Sequence, residues 1–213
     1  FIRLLTLQKH MGQLSEGTNS WLNSIEEDGC IHHSCLLATQ TGRNIHRGPN
    51  LGQVVSAPWA RELFVPFPGH VMVGADLEGI ELRALGHYLA VFDEGAFAEV
   101  VCNGDIHQQN ADRVGCTRSQ VKNLTYGFIY GAGDVKLAHI LHPEYSDAQK
   151  KSLGSELRRK FLDAIPGLEP LIDAVKLKVR ETGKLKAIDK RPIFCDGEHK
   201  SLNFLLQSCG AVI

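Results

Sequence analysis

Arg118, Lys122, Tyr126 and Tyr130 recur at intervals of four residues. On an α-helix each lies about 40° further round than the last, so the four form one slowly winding stripe. Thr117 with Gln120 at the third helical position has the pattern of a capping box, which marks the helix start independently of the stripe. Both cations then lie nearest the positive end of the helix dipole, an arrangement suited to a polyphosphate. At about 1.5 Å per residue, Tyr126 lies about 12 Å beyond Arg118, roughly the reach of a nucleoside triphosphate from γ-phosphate to sugar. The same residues also read as a solvated basic first turn followed by a buried aromatic pair.

A carboxylate supplies the second chemical group. Val71-Met72-Val73-Gly74-Ala75 is a short apolar run expected to form a buried strand, and it ends at Asp76 and Leu77. An aspartate at the exposed end of a strand, with the Leu77 carbonyl beside it, offers the hard oxygen ligands that Mg²⁺ takes together with waters and substrate phosphates. A strand-terminal aspartate that merely caps the next helix fits the same pattern. Glu81, five residues on, reads in isolation as an exposed helix residue paired with Arg83 or a neighbour.

Three further groups are polar in a patterned way. Thr41-Gly42-Arg43 and Pro49-Asn50-Leu51-Gly52-Gln53 have a turn-rich composition and by themselves read as a loop. From Ser201 to Ile213 an apolar helical face carries Leu202, Leu205, Leu206, Cys209, Val212 and Ile213, while His199, Asn203 and Gln207 follow at intervals of four on another side. That polar side either touches DNA or is simply solvated. Cys30, His32, His33 and Cys35 crowd four potential ligands into six positions with no second pair at zinc-finger spacing, so their spacing does not predict zinc.

Taken in order, these segments resemble the family A, Pol I-like DNA polymerases. Asp76-x4-Glu81-Leu82-Arg83 after an apolar run resembles motif A, and Arg118-x3-Lys122-x3-Tyr126-Gly127 resembles motif B, which also occurs in single-subunit RNA polymerases. Thr41-Gly42-Arg43 with Pro49-Asn50-Leu51-x-Gln53 resembles the segment that tracks the minor groove at the primer end, and Asn203-x3-Gln207 resembles the palm helix beside the duplex. Gly104-Asp105-Ile106-His107 matches a segment whose histidine approaches the triphosphate. The opening Leu7-Gln8-Lys9, Trp21-Leu22 and Glu27-Asp28-Gly29-x-Ile31-His32, together with a tyrosine at 126, resemble the branch found in short-tailed, T-odd-type bacteriophages.

The resemblance implies roles. Asp76 and the Leu77 carbonyl hold metal, one of two Mg²⁺ ions in an intact enzyme. Arg118, Lys122 and His107 neutralise the triphosphate of an incoming dNTP. Tyr126 and Glu81 define the sugar pocket, with Glu81 hydrogen-bonded to the motif B tyrosine and closing the space beside the 2′ carbon, which favours DNA over RNA synthesis. Tyr130 holds the template base position, and Arg43, Asn50, Gln53, Asn203 and Gln207 line primer-template DNA. The implied setting is the cytoplasm of an infected bacterial host, and a processivity factor is not readable. The 213 residues begin at Phe1 and contain no His-Asp-Glu motif, which in the family carries the second metal-binding aspartate, so they read as part of a larger enzyme that does not extend a primer alone. A non-catalytic DNA-binding remnant is the other reading of that gap.

Composition limits the setting without identifying the chemistry. At 43% hydrophobic the chain can bury a sizeable core, and its six cysteines show no paired framework, which suits a reducing, soluble environment. No signal peptide or membrane-length apolar stretch is present. A net charge of −1 argues against a chain that coats nucleic acid, although 136–191 is rich in Lys and Arg.

The elements that must position these groups are expected as follows. Residues 1 to about 28 read as helical with a break at Glu16-Gly17, and strands and loops follow to Ala75. A helix from about Gly79 carries Leu82, Leu85 and Leu89, helices broken at Pro143 and Pro166-Gly167 continue to about Glu181, and Leu185 to Cys195 reads as a hairpin around Asp189-Lys190. The class is α+β. By resemblance it is a right-hand palm with an inserted helical fingers subdomain, divided as 1–28 (end of the thumb), 29–92 (palm with motif A), 93–198 (fingers with motif B) and 199–213 (return to the palm).

Overall fold

The structure, a computed structural model, describes residues 2–213; Phe1, the first residue of the expected 1–28 segment, lies outside them. The chain separates into two compact units, 1–76 and 77–213.

In the first unit, helix α1 (Ile2–Met11) continues as a wider π-helical turn to Glu16 and stops at Gly17, whose backbone is extended. The break falls where Glu16-Gly17 is, but the helix does not resume as expected. Instead the Gly17 carbonyl accepts the Ser20 N–H and the Gln13 carbonyl accepts the Trp21 N–H, so the chain folds back and buries Trp21 edge-on against Phe64, 5.3 Å between ring centres. Beyond a single 3₁₀ turn at Leu22–Ser24, strands β1 (Ser34–Leu36) and β2 (Ile45–Arg47) pair antiparallel with Cys35 opposite His46. A 3₁₀ turn at Leu51–Gln53 and the short helix α2 (Pro58–Arg61) follow.

The expected buried strand at Val71–Ala75 does not form. That stretch is irregular, with Val71 83% and Val73 86% exposed. A strand exists only by pairing its N–H and C=O groups with a neighbour, and among the described residues none pairs with it. An apolar run of five residues carries no periodicity that would betray this.

The second unit is helical around one core. Helix α3 (Ile80–Asp93) starts at Gly79, whose left-handed φ of 62° turns the chain into the helix, and it buries Leu82, Leu85 and Leu89. Helix α4 (Ala96–Asn103) crosses α3 at Gly86, where a methyl group would lie 3.0 Å from the Ala98 Cα. Helices α5 (Ile106–Val114), α6 (Arg118–Ile129) and α7 (Asp134–Leu141) follow, and α8 (Asp147–Ala164) is capped by a Ser146–Gln149 box after the break at Pro143. Past Pro166-Gly167, α9 (Leu168–Thr182) leads into the expected hairpin, β3 (Lys184–Lys186) against β4 (Pro192–Phe194), with Lys190 at φ 72° in the turn. Helix α10 (Ser201–Gly210) closes the unit by packing Leu202, Leu205, Leu206 and Cys209 into the core. The fold is α+β and helix-rich, with two separate two-stranded antiparallel sheets among the described residues. Among the described residues no helix is long and apolar enough to cross a membrane.

Candidate functional site

Both halves of the expected capping box are present at the start of α6. The Thr117 side chain accepts the Gln120 N–H, and the Gln120 side chain accepts the Thr117 N–H at 3.0 Å. Val121, Leu124, Thr125, Phe128 and Ile129 face the core, which turns Arg118 and Lys122 to solvent and leaves Tyr126 half-buried. Tyr130 stands just past the last helical residue and is 43% exposed.

The neighbouring helix brings its first turn to this stripe. Asp105 caps α5: its Oδ1 accepts the N–H groups of His107 at 3.1 Å and Gln108 at 3.0 Å. Its Oδ2 accepts from Arg118 Nε at 2.8 Å. One carboxylate thus fixes both the helix that carries His107 and the first cation of the stripe. The Arg118 hydrogen bond, followed by the Gln108 N–H, holds the Asp105 carboxyl below its ordinary range, and Asp105 in turn raises Arg118.

His107 is lowered from its ordinary value, first by burial and then by the charges of Arg118 and Lys122, with Asp105 opposing. Its Nδ1 is buried without a hydrogen-bond partner. The ring lies 6.3 Å from Tyr126, and Tyr126 lies 6.1 Å from Tyr130, so the three rings run in file. Burial, then the charge of Glu81, raises the Tyr126 phenol.

Glu81 ends the file. It is only 8% exposed, so the reading as a solvated helix residue does not hold, and Arg83 turns instead to the Glu78 carbonyl at 2.9 Å. The resemblance implied a bond from Glu81 to Tyr126, whereas the phenol that donates to Glu81 Oε1, at 3.2 Å, is that of Tyr130. Beside these groups a cavity of about 270 Å³ is lined by Glu78, Gly79, Arg83, Asp105, His107 and Arg118.

The other expected residues are spread more widely. On α10 Gln207 is half-buried, and Asn203 has a buried Oδ1 without a partner, while His199 lies exposed on the preceding turn. The His199 carbonyl approaches Gly131 closely, where a methyl group would come within 2.8 Å, so α10 enters beside the end of α6. Within the basic 136–191 region Arg158 pairs with Asp134 at 2.7 Å, Lys160 with Glu156 at 2.8 Å and Arg180 with Glu198 at 2.8 Å. In the first unit Arg43, Asn50 and Gln53 are exposed. The Arg43 carbonyl accepts from Thr39 at 2.8 Å and the Gln53 carbonyl from Gln13 at 2.8 Å, which fixes the backbone from which these side chains project. Asp76 closes that unit and Leu77 opens the next, both exposed.

Sequence reasoning did not single out Asp105 as a partner of Arg118. The N-cap signal before α5 was available, but the ion pair spans thirteen positions and depends on how α5 and α6 pack.

Comparison with known proteins places these observations in a family. The sequence model described as DNA polymerase family A matches residues 2–208. The DNA-directed DNA polymerases of Escherichia phage T7 and Enterobacteria phage T3 are each 34% identical over 98% of this chain, which covers 33% of their length. The chain therefore spans about a third of these relatives. Among solved structures, the POL domain of Pol1 from M. smegmatis, in complex with DNA primer-template and dNTP, matches with a TM-score of 0.71 at 23% identity, over 89% of this chain and 37% of that one. That likeness is one of fold.

Proposed function

Because the chain belongs to DNA polymerase family A, we propose that it forms the nucleotide-selecting part of an enzyme that adds dNTPs to a primer end under the direction of a template. The observation that carries this reading is the file from Arg118 through His107, Tyr126 and Tyr130 to the buried Glu81. It presents cationic and N–H donors at one end and a closed carboxylate at the other. A triphosphate and its sugar need those two ends.

In this reading Arg118 and Lys122 offset the negative charge of the triphosphate, and His107 donates a hydrogen bond to it. A neutral His107 fits that role, since its lowered pKa leaves it an N–H donor that adds no third positive charge. Tyr126 lies under the sugar, Glu81 excludes a 2′-hydroxyl, and Tyr130 holds the template position until the nucleotide enters. Arg43, Asn50, Gln53, Asn203 and Gln207 contact primer-template DNA through acceptors common to all base pairs, so pairing geometry is tested without reading sequence. The subdomain assignment is that given by the resemblance, with 29–92 as palm and 93–198 as fingers.

Asp76 and the Leu77 carbonyl are the proposed Mg²⁺ ligands, since an exposed carboxylate and a backbone carbonyl are the hard oxygen donors that this cation takes. Bound there, Mg²⁺ would stabilise charge on the reacting phosphate and the leaving pyrophosphate.

The test is primer extension by the complete gene product carrying these residues. Mg²⁺-dependent incorporation of the dNTP complementary to the template is expected. Failure to incorporate, or incorporation indifferent to the template base, would sink the reading.

A further inference from the structure

His33, Cys35 and His46 lie together on one face of the β1–β2 hairpin. His33 and Cys35 are two apart on an extended chain and so point the same way, while His46 is the residue directly opposite Cys35 in the antiparallel ladder. Cys35 Sγ is 3.3 Å from His33 Nε2 and 3.3 Å from His46 Nδ1, and all three ligand atoms lie within 4.8 Å of one another. The two imidazoles stack at 5.4 Å with 19° between planes. A methyl group at Gly52 would meet His46 Cδ2 at 2.6 Å, so the glycine leaves the room that this ring orientation requires. The neighbouring His32 is instead held by Asp28 at 2.8 Å.

We propose that His33, Cys35 and His46 form a zinc site that clamps the β1–β2 hairpin, with the fourth position of the tetrahedron open to water. Tetrahedral zinc, with bonds of about 2.0–2.3 Å, places nitrogen and sulfur ligands roughly 3.3–3.6 Å apart, close to the two separations from Cys35. Two imidazoles and a thiolate select a borderline-soft ion over Mg²⁺, so this is not the cation proposed for Asp76. On binding, the Cys35 S–H loses its proton to solvent and the S–Zn bond takes its place; no redox change is involved. The ion would fasten β1 to β2 at the base of the loop that carries Thr41-Gly42-Arg43, just ahead of Pro49–Gln53. Spacing along the sequence could not show this, because His46 comes from the opposite strand.

Co²⁺ added to the metal-free chain reports thiolate ligation through a sulfur-to-metal charge-transfer band in the near ultraviolet, and Zn²⁺ displaces it. One equivalent is expected to bind. Cys35→Ser should abolish the band, His33→Ala and His46→Ala should each weaken Zn²⁺ binding at least about tenfold, and Cys30→Ser should leave both unchanged. Zn²⁺ should also slow amide hydrogen exchange within 34–47. Absence of the band in the unaltered chain, its survival in Cys35→Ser, or protection arising only outside the hairpin would overturn the proposal.

Discussion

The phenol of Tyr130 donates to Glu81 across 3.2 Å, tying the residue just past the end of α6 to the first turn of α3. The carboxylate proposed to exclude a 2′-hydroxyl is therefore positioned by the second tyrosine of the stripe. Glu81→Ala is expected to narrow the preference for dNTP over rNTP, and Tyr130→Phe to narrow it part of the way, because the carboxylate loses a donor that orients it. The ratio of kcat/KM values for the two sugars separates this from general damage. If Tyr126→Phe relaxes the ratio and Tyr130→Phe does not, Tyr126 is the positioning partner instead.

Arg118 and Asp105 make opposite predictions at the other end of the file. Asp105→Asn retains an oxygen for capping α5 but removes the charge that neutralises Arg118. The KM for dNTP should fall several-fold in Asp105→Asn and rise in Arg118→Ala, and the salt dependence of binding should steepen in the former. Movement of both variants in the same direction would show that the pair serves α5 rather than the nucleotide.

His107 should titrate below the ordinary imidazole value of 6.5, since burial and the two neighbouring cations disfavour its charged form. Between its folded and unfolded midpoints the unfolded chain binds a proton that the folded chain does not. Stability therefore declines as pH falls through 6.5, and His107→Gln should remove that component. Following the ring proton by NMR gives the midpoint, which an added triphosphate should raise by offsetting Arg118 and Lys122. A midpoint above 6.5 in the free protein would contradict the assigned environment.

What was legible in the sequence was local. The Thr117–Gln120 box, the Leu82, Leu85 and Leu89 face and the hairpin at 185–195 each depend on residues a few positions apart, and each is present. The Val71–Ala75 run is apolar yet forms no strand, because a strand is a relation between segments and apolarity alone does not supply the partner. The links from Glu81 to Tyr130, from Asp105 to Arg118 and from Cys35 to His46 were unreadable for the same reason. They span 49, 13 and 11 positions, and only the packing of α3, α5 and α6 and the register of β1 on β2 create them.

Gly86 tests the packing that orients α3. A methyl group there would lie 3.0 Å from the Ala98 Cα, a backbone atom that cannot swing aside. Gly86→Ala should gain up to about 1 kcal/mol in helix propensity yet lose about 1–3 kcal/mol to overpacking, for a net loss in urea-induced unfolding. Net stabilisation would mean that α3 and α4 separate freely.

If the stripe on α6 meets a triphosphate, Lys122 is where the effect is read most cleanly, because its charge is exposed on the stripe face and its loss leaves the core of α6 untouched. In pre-steady-state single-nucleotide incorporation by the complete gene product, Lys122→Ala should lower the maximal rate by a factor of about 10² to 10³, the usual effect of removing a charge that stabilises a reacting phosphate. Primer-template binding should be unchanged. Incorporation at the unaltered rate, with DNA bound normally, would show that the stripe does not meet a triphosphate and that Arg118 and Lys122 are the solvated face of a structural helix.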